Sequence, residues 1–172
     1  MFCAKRYRII FLSAVLFCSL NSFSQKKVKF GFDSGYLKTA FAMETEMFSS
    51  LEKALVTPEA VYSVTLSASS KNLVEVKQLK NLKFLYLDDT FTADSYYLSK
   101  EGLDALFKII SKLPNLEYIS MYDPRLLPYM SDMTSIRGLK FNKFDHTYYQ
   151  NNINHFPDLE LLIINDPTIV SI

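Results

Sequence analysis

The chain holds two imidazoles, His146 and His155, nine residues apart. That spacing puts them off any common helical face, and it suits neither a zinc site nor a base beside a nucleophile, so both are read as loop histidines. No nucleophile-elbow, H-E-x-x-H, phosphate-loop or calcium-loop pattern occurs in the sequence. Acids recur instead: Asp89, Asp123 and Asp166 are each followed by Thr or Pro. Such a row would suit a cation or a basic partner, because like charges on neighbouring strands repel unless neutralised. Asp before Thr or Pro is also an ordinary turn former whose carboxylate accepts nearby backbone N–H groups. Lys143 stands in the same column and breaks the row. The turn-forming reading is therefore preferred, and no metal and no cofactor is expected.

The elements that must position these residues begin after a targeting signal. Lys5, Arg6 and Arg8 precede an apolar run from Ile9 to Leu20, and Ser22-Phe23-Ser24 follows. This is the order of a secretory signal peptide, with cleavage expected after Ser24. The run spans about 18 Å as a helix, short of a hydrocarbon core of roughly 30 Å. An exported chain, periplasmic or secreted, with no membrane span in its mature part is expected. Cys18 offers the alternative of a lipid-anchored lipoprotein, but Phe17 before it is bulky where that processing needs a small residue. Cys3 and Cys18 are the only cysteines, so cleavage at Ser24 removes disulfides, thiolate metal sites and cysteine nucleophiles together.

The chain has 172 residues, 49% hydrophobic and 22% charged, with four Gly, which excludes disordered and collagen-like classes and suits one domain. Losing Lys5, Arg6 and Arg8 takes the net charge from +1 to −2. A slightly acidic body has no field for a phosphate backbone, so nucleic acid is not an expected partner.

The body is repetitive. LKNLKFLYLDDT from Leu79, LPNLEYISMYDP from Leu113 and FPDLELLIINDP from Phe156 share apolar residues at relative positions 1, 4, 7 and 9. MTSIRGLKFNKF from Met133 keeps all four, and PEAVYSVTLSAS from Pro58 keeps the last three. With the second apolar position as origin, the units start at Val61, Leu82, Leu116, Ile136 and Leu159, in steps of 21, 34, 20 and 23. Alternation such as Leu85 and Leu87 makes a short strand with one buried face, which can be covered only by stacking neighbouring units.

These units resemble the leucine-rich repeat family, whose unit L-x-x-L-x-L-x-x-N recurs every 20 to about 29 residues. The resemblance covers about residues 36 to 172. It implies an α/β fold: a solenoid with a short parallel sheet on its concave face. The family's Asn position is occupied by Ser69, Thr90, Pro124, Phe144 and Pro167, so its ladder of buried Asn is absent and Ser or Thr would replace it only in part. The long step contains Leu103, Leu106, Phe107, Ile110 and Leu113 at helical spacing, with Ser99 as cap and Pro114 as stop, so this unit should carry the one true helix. Residues 25–57 read as an N-terminal segment with a capping helix through Leu37, Ala40, Phe41, Met47, Phe48, Leu51, Ala54 and Leu55, and 58–172 as the repeats. At the far end Leu159 to Ile164 forms an apolar edge strand. It would self-associate, be tolerated, or be covered by the C-terminal tail, the option preferred here.

The resemblance also implies that residues flanking the buried strand positions face the concave side, the family's usual binding surface. On that basis Phe84, Tyr86, Asp88, Tyr118, Ser120, Tyr122, Asp123 and Lys140 are the candidate ligand-binding residues. Four aromatics on strands about 4.8 Å apart suit a protein or peptide hot spot, or alternatively just stabilise the sheet. Asp88 and Glu117 are a conceivable acid pair for a hydrolase, but an open surface has nothing to exclude water, and no catalytic residue is expected. The expected function is exported, non-enzymatic recognition of a protein or peptide; the alternative is a structural or adhesion subunit assembling through Leu159 to Ile164.

Overall fold

The computed structural model describes residues 29–31, 47–143 and 145–164. The signal segment, most of the expected N-terminal helix and the C-terminal tail lie outside the described residues.

Strand β1 is Lys29–Gly31, followed by a four-residue helix α1, Leu51–Ala54, and then strands β2 (Ser63–Leu66) and β3 (Phe84–Leu87). Helix α2, Lys100–Ile110, leads to β4 (Tyr118–Met121) and β5 (Gly138–Phe141); helix α3, His146–Asn152, leads to β6 (Leu161–Ile164). The six strands form one sheet in the order β1-β6-β5-β4-β3-β2, and every pair is parallel. From β2 to β6 each strand lies beside its sequence neighbour, so the fold is α/β with a sheet built in chain order.

The register follows from the apolar spacing. Val64, Leu85, Ile119, Leu139 and Leu162 align across five strands, and all are buried on one face. Val61, Leu82, Leu116, Ile136 and Leu159, the residues that set the repeat spacing, make a further buried row just before the strands. A slip of one residue would turn these rows to the opposite face, so the core itself fixes the alignment. The turns are held in the same way. Asn81 Nδ2 donates to the Glu59 carbonyl at 2.7 Å, and Asn115 Nδ2 to the Lys80 carbonyl at 2.8 Å. Side-chain amides thus tie the second and third units to the ones before them, from a repeat position other than the one where the sequence lacks Asn.

Helix α2 starts where Ser99 Oγ accepts the Gly102 N–H at 3.2 Å and buries Leu103, Leu106, Phe107 and Ile110, as the spacing predicts. The units from Leu73 to Gln78 and from Pro124 to Met130 use tighter 3-10 turns. Helix α3 was not expected; Asp145 caps it by accepting the Thr147 N–H at 2.9 Å, and Tyr149 anchors it in the core. Within the described residues, the expected N-terminal helix is interrupted at Phe48. Phe48 is extended and bridges to Val64. Its N–H donates to the Ser63 carbonyl at 3.0 Å and its carbonyl accepts the Thr65 N–H at 2.9 Å, so it covers the outer edge of β2. Helix α1 begins only after Ser50 caps it, and Met47 is exposed rather than in the core.

The opposite edge is also paired. Lys29, Phe30 and Gly31 align with Leu161, Leu162 and Ile163, so the cover on β6 comes from the N-terminal side of the chain. Residues on both sides of one short N-terminal stretch therefore satisfy the two outermost strands. We predict that a chain starting at Phe32, compared with one starting at Gln25, self-associates as its concentration rises, because the β6 edge is left open. Light scattering checks this; equal masses for the two chains would contradict it.

Candidate functional site

The face of the sheet opposite the main core carries three rows of side chains and a fourth at its amino end. Ser63, Phe84, Tyr118, Gly138 and Leu161 form the first row, and Thr65, Tyr86, Ser120, Lys140 and Ile163 the second. Continuing the strands by one more step places Ser67, Asp88, Tyr122 and Asn142 in the third. Phe84, Tyr86, Tyr118, Ser120 and Lys140 surround one shallow hollow, so the structure brings five of the eight predicted residues together.

Their accessibility differs from expectation. Phe84 and Tyr118 are each only 6% exposed, and Ser63, Ser120, Leu161 and Ile163 are buried as well. Phe84 and Tyr118 stack at 4.6 Å between ring centroids with planes 15° apart. Tyr118 can lie this flat because its neighbour across the strand is Gly138: a Cβ there would meet Tyr118 Cδ1 at 2.4 Å. Burial pushes the Tyr118 hydroxyl up to about 12, with Glu117 adding to the effect and Arg137 opposing it; burial also raises Tyr86. The stacked pair is thus packing within the sheet rather than an open aromatic surface. Lys140 and Tyr86 are half-buried.

The amino end carries a ladder of charge. The Arg137 guanidinium reaches Glu117 at 3.2 Å and Glu160 at 2.8 Å, on the strands to either side. Below it the carbonyls of Tyr62, Lys83, Glu117 and Arg137 each accept two N–H groups from the next unit. Glu117 belongs to this end and Asp88 to the other, about 16 Å away along the strands, so they do not form an acid pair.

The carboxyl end is built around Asp123. This carboxylate is 4% exposed. It accepts the Ala93 N–H at 3.1 Å and the Arg125 N–H at 3.0 Å, and it meets the Arg125 guanidinium at 2.8 Å. Arg125 reaches on to Asp94 at 2.5 Å. Burial pushes the Asp123 carboxyl up, but Arg125 and the two backbone donors together hold it below its ordinary value. Its role is therefore to fasten the loop after β3, in keeping with the turn-forming reading. It is not presented to a ligand. Asp88 is similar in part: it accepts the Thr90 N–H at 3.0 Å and the Thr90 hydroxyl. Thr90 Oγ1 in turn accepts the Ala68 N–H at 2.8 Å, and this is the partial substitute for Asn that the repeat spacing implies.

The loop so fastened holds the feature that the repeat pattern passes over. Tyr96 is 96% exposed and Tyr97 54%, in an edge-to-face pair at 5.7 Å. Ser95 braces them, donating from Oγ to the Thr90 carbonyl at 3.0 Å and accepting the Tyr97 N–H at 3.2 Å. Tyr122, the residue just after β4, is 42% exposed and directly precedes Asp123. Three accessible rings, Tyr96, Tyr97 and Tyr122, therefore lie in the segments that follow the carboxyl ends of β3 and β4, as Asp88 and Asp89 do. The signal for Tyr96 and Tyr97 in the sequence was only their place in the longest interval between strands.

Among the described residues, no group of three or more His, Cys, Asp or Glu is placed to hold a metal, and no helix is long and apolar enough to cross a membrane. No family model matches the chain, and no curated protein matches it.

Two outcomes follow from this geometry. Gly138→Ala should destabilise the protein by about 1–3 kcal/mol in urea unfolding, since Tyr118 would have to leave its stack; an unchanged midpoint would contradict the packing described. Asp123, held below its ordinary value, contributes stability that is complete above the unfolded carboxyl pKa and is lost as pH falls through the lower folded value. Arg125→Ala should remove much of that acid-side dependence and make residues 92–98 sensitive to limited proteolysis. A loop equally resistant in both proteins would contradict the latch.

Proposed function

We propose that the chain is an exported, non-enzymatic recognition module of the leucine-rich repeat type, binding a protein or peptide at the carboxyl end of its sheet. The repeated units, the in-order parallel strands and the shared register support the solenoid reading. The observation that carries the functional reading is the latched loop: a buried carboxylate and its arginine hold a loop whose two tyrosines point into solvent. Ordering an exposed aromatic loop in advance lowers the entropic cost of binding, and large rings with few torsions are what binding loops favour.

In this reading the recognition surface shifts from the middle of the concave face to its carboxyl rim. Tyr122 and Asp88 stay in the site, Tyr96 and Tyr97 join it, and Phe84, Tyr118, Ser120 and Asp123 support it from within. Assembly through β6 has less support, because β1 already pairs with the backbone edge it would require. Catalysis has less support too, since Asp88 and Glu117 stand at opposite ends of the strands.

Selection of an unbiased displayed peptide library on the purified protein tests this. Peptides should be enriched that bind the parent protein and lose about tenfold or more in affinity with Tyr96→Ala and Tyr97→Ala together, at an unchanged melting temperature. Failure to enrich any peptide, or binding indifferent to both substitutions, would contradict the proposal.

A further inference from the structure

The charge on the loop that carries the exposed rings narrows the kind of partner. Asp88 and Asp89 open the loop, Asp94 lies within it, and Asp123 anchors it. Arg125 is the cation that meets this group, and it is already engaged by both Asp123 and Asp94. Asp88 and Asp89 form no ion pair among the described residues, and Asp89 is exposed. Lys143, after β5, lies two strands from β3 and marks where the acidic stretch ends.

Two independent features therefore favour the same chemistry. Tyrosine faces attract a cation through the ring quadrupole, most strongly when the contact is shielded from water. Carboxylates without cations attract a positive partner at a distance and repel an acidic one. Tyr96 and Tyr97 supply the first feature, and Asp88 and Asp89 the second, on a single braced loop. Extending the recognition reading above, and resting on it, we propose that this rim binds a lysine- or arginine-bearing extended segment of another protein. Its basic side chains lie against Tyr96 and Tyr97 and face Asp88 and Asp89, while its backbone runs along the carboxyl ends of β3 and β4.

The test is fluorescence anisotropy of the purified protein with a labelled short peptide of alternating Lys and Ser, compared with one of alternating Glu and Ser. The Lys peptide should bind and the Glu peptide should not, and the affinity should fall as salt is raised. Tyr96→Ala with Tyr97→Ala should weaken Lys-peptide binding about tenfold. Asp89→Asn, an exposed change that leaves the Thr90 contacts of Asp88 alone, should weaken it severalfold and flatten its salt dependence. Equal binding of the two peptides, or Lys-peptide binding unmoved by these variants, would overturn the inference. The library selection separates this failure from that of the recognition reading. Enriched peptides that depend on Tyr96 and Tyr97 but lack basic residues leave recognition standing and reject the cationic partner, whereas an empty selection rejects recognition itself.

Discussion

Parallel pairing in a single register is the constraint on which the rest of this structure depends. No four-residue strand here can bury its own apolar side, so Val64, Leu85, Ile119, Leu139 and Leu162 are dry only because they stand in one line. Everything with a place on the opposite face inherits that alignment. Tyr118 stacks on Phe84 and lies across Gly138 because the register puts an aromatic on one side of it and a residue without a side chain on the other. The same line of pairing brings Arg137 between two glutamates at the amino end.

The two ends of the strands use that alignment differently. At the amino end the charges alternate from strand to strand and are spent on one another. At the carboxyl end one unit departs from its neighbours: the interval between β3 and β4 is long enough for both a helix and a loop, and the loop is fastened to the next unit through Asp123 and Arg125. A buried charge is costly unless paired and hydrogen-bonded. Asp123 meets both conditions, and the result is a rigid support for rings that do not themselves pack. The proposed binding surface lies where the repeat is least regular, as expected when a scaffold supplies rigidity and a loop supplies contact.

Much of the scaffold is legible in the sequence. All five repeat strands begin two residues after the positions that set the spacing, and helix α2 begins at the serine that its spacing nominates. These features rest on local periodicity, which is written residue by residue. What escapes is set by distant partners. Lys29–Gly31 has no pattern of its own and becomes a strand because β6 offers an unpaired edge. Phe48 fits helical spacing, yet the edge of β2 takes its backbone into an extended bridge. Among its described side chains helix α3 buries a single ring, Tyr149, beside Asn152, too little to produce an apolar period. The candidate site divides in the same way. Alternation identifies which residues face away from the main core, and it gathers five of the proposed residues around one hollow. It does not say whether that face is open, so Phe84 and Tyr118 prove to be packing. Tyr96 and Tyr97, which are accessible, lie in an interval where no period applies.

Paired cysteines offer the most direct test of the register. With Cys3 and Cys18 absent or replaced, Thr65→Cys should oxidise to a disulfide with Tyr86→Cys, its aligned neighbour, in far greater yield than with Asp88→Cys two residues on. Cross-linking that favours the Asp88 position, or that fails at both, would contradict the shared register and with it the sheet that supports the proposed rim.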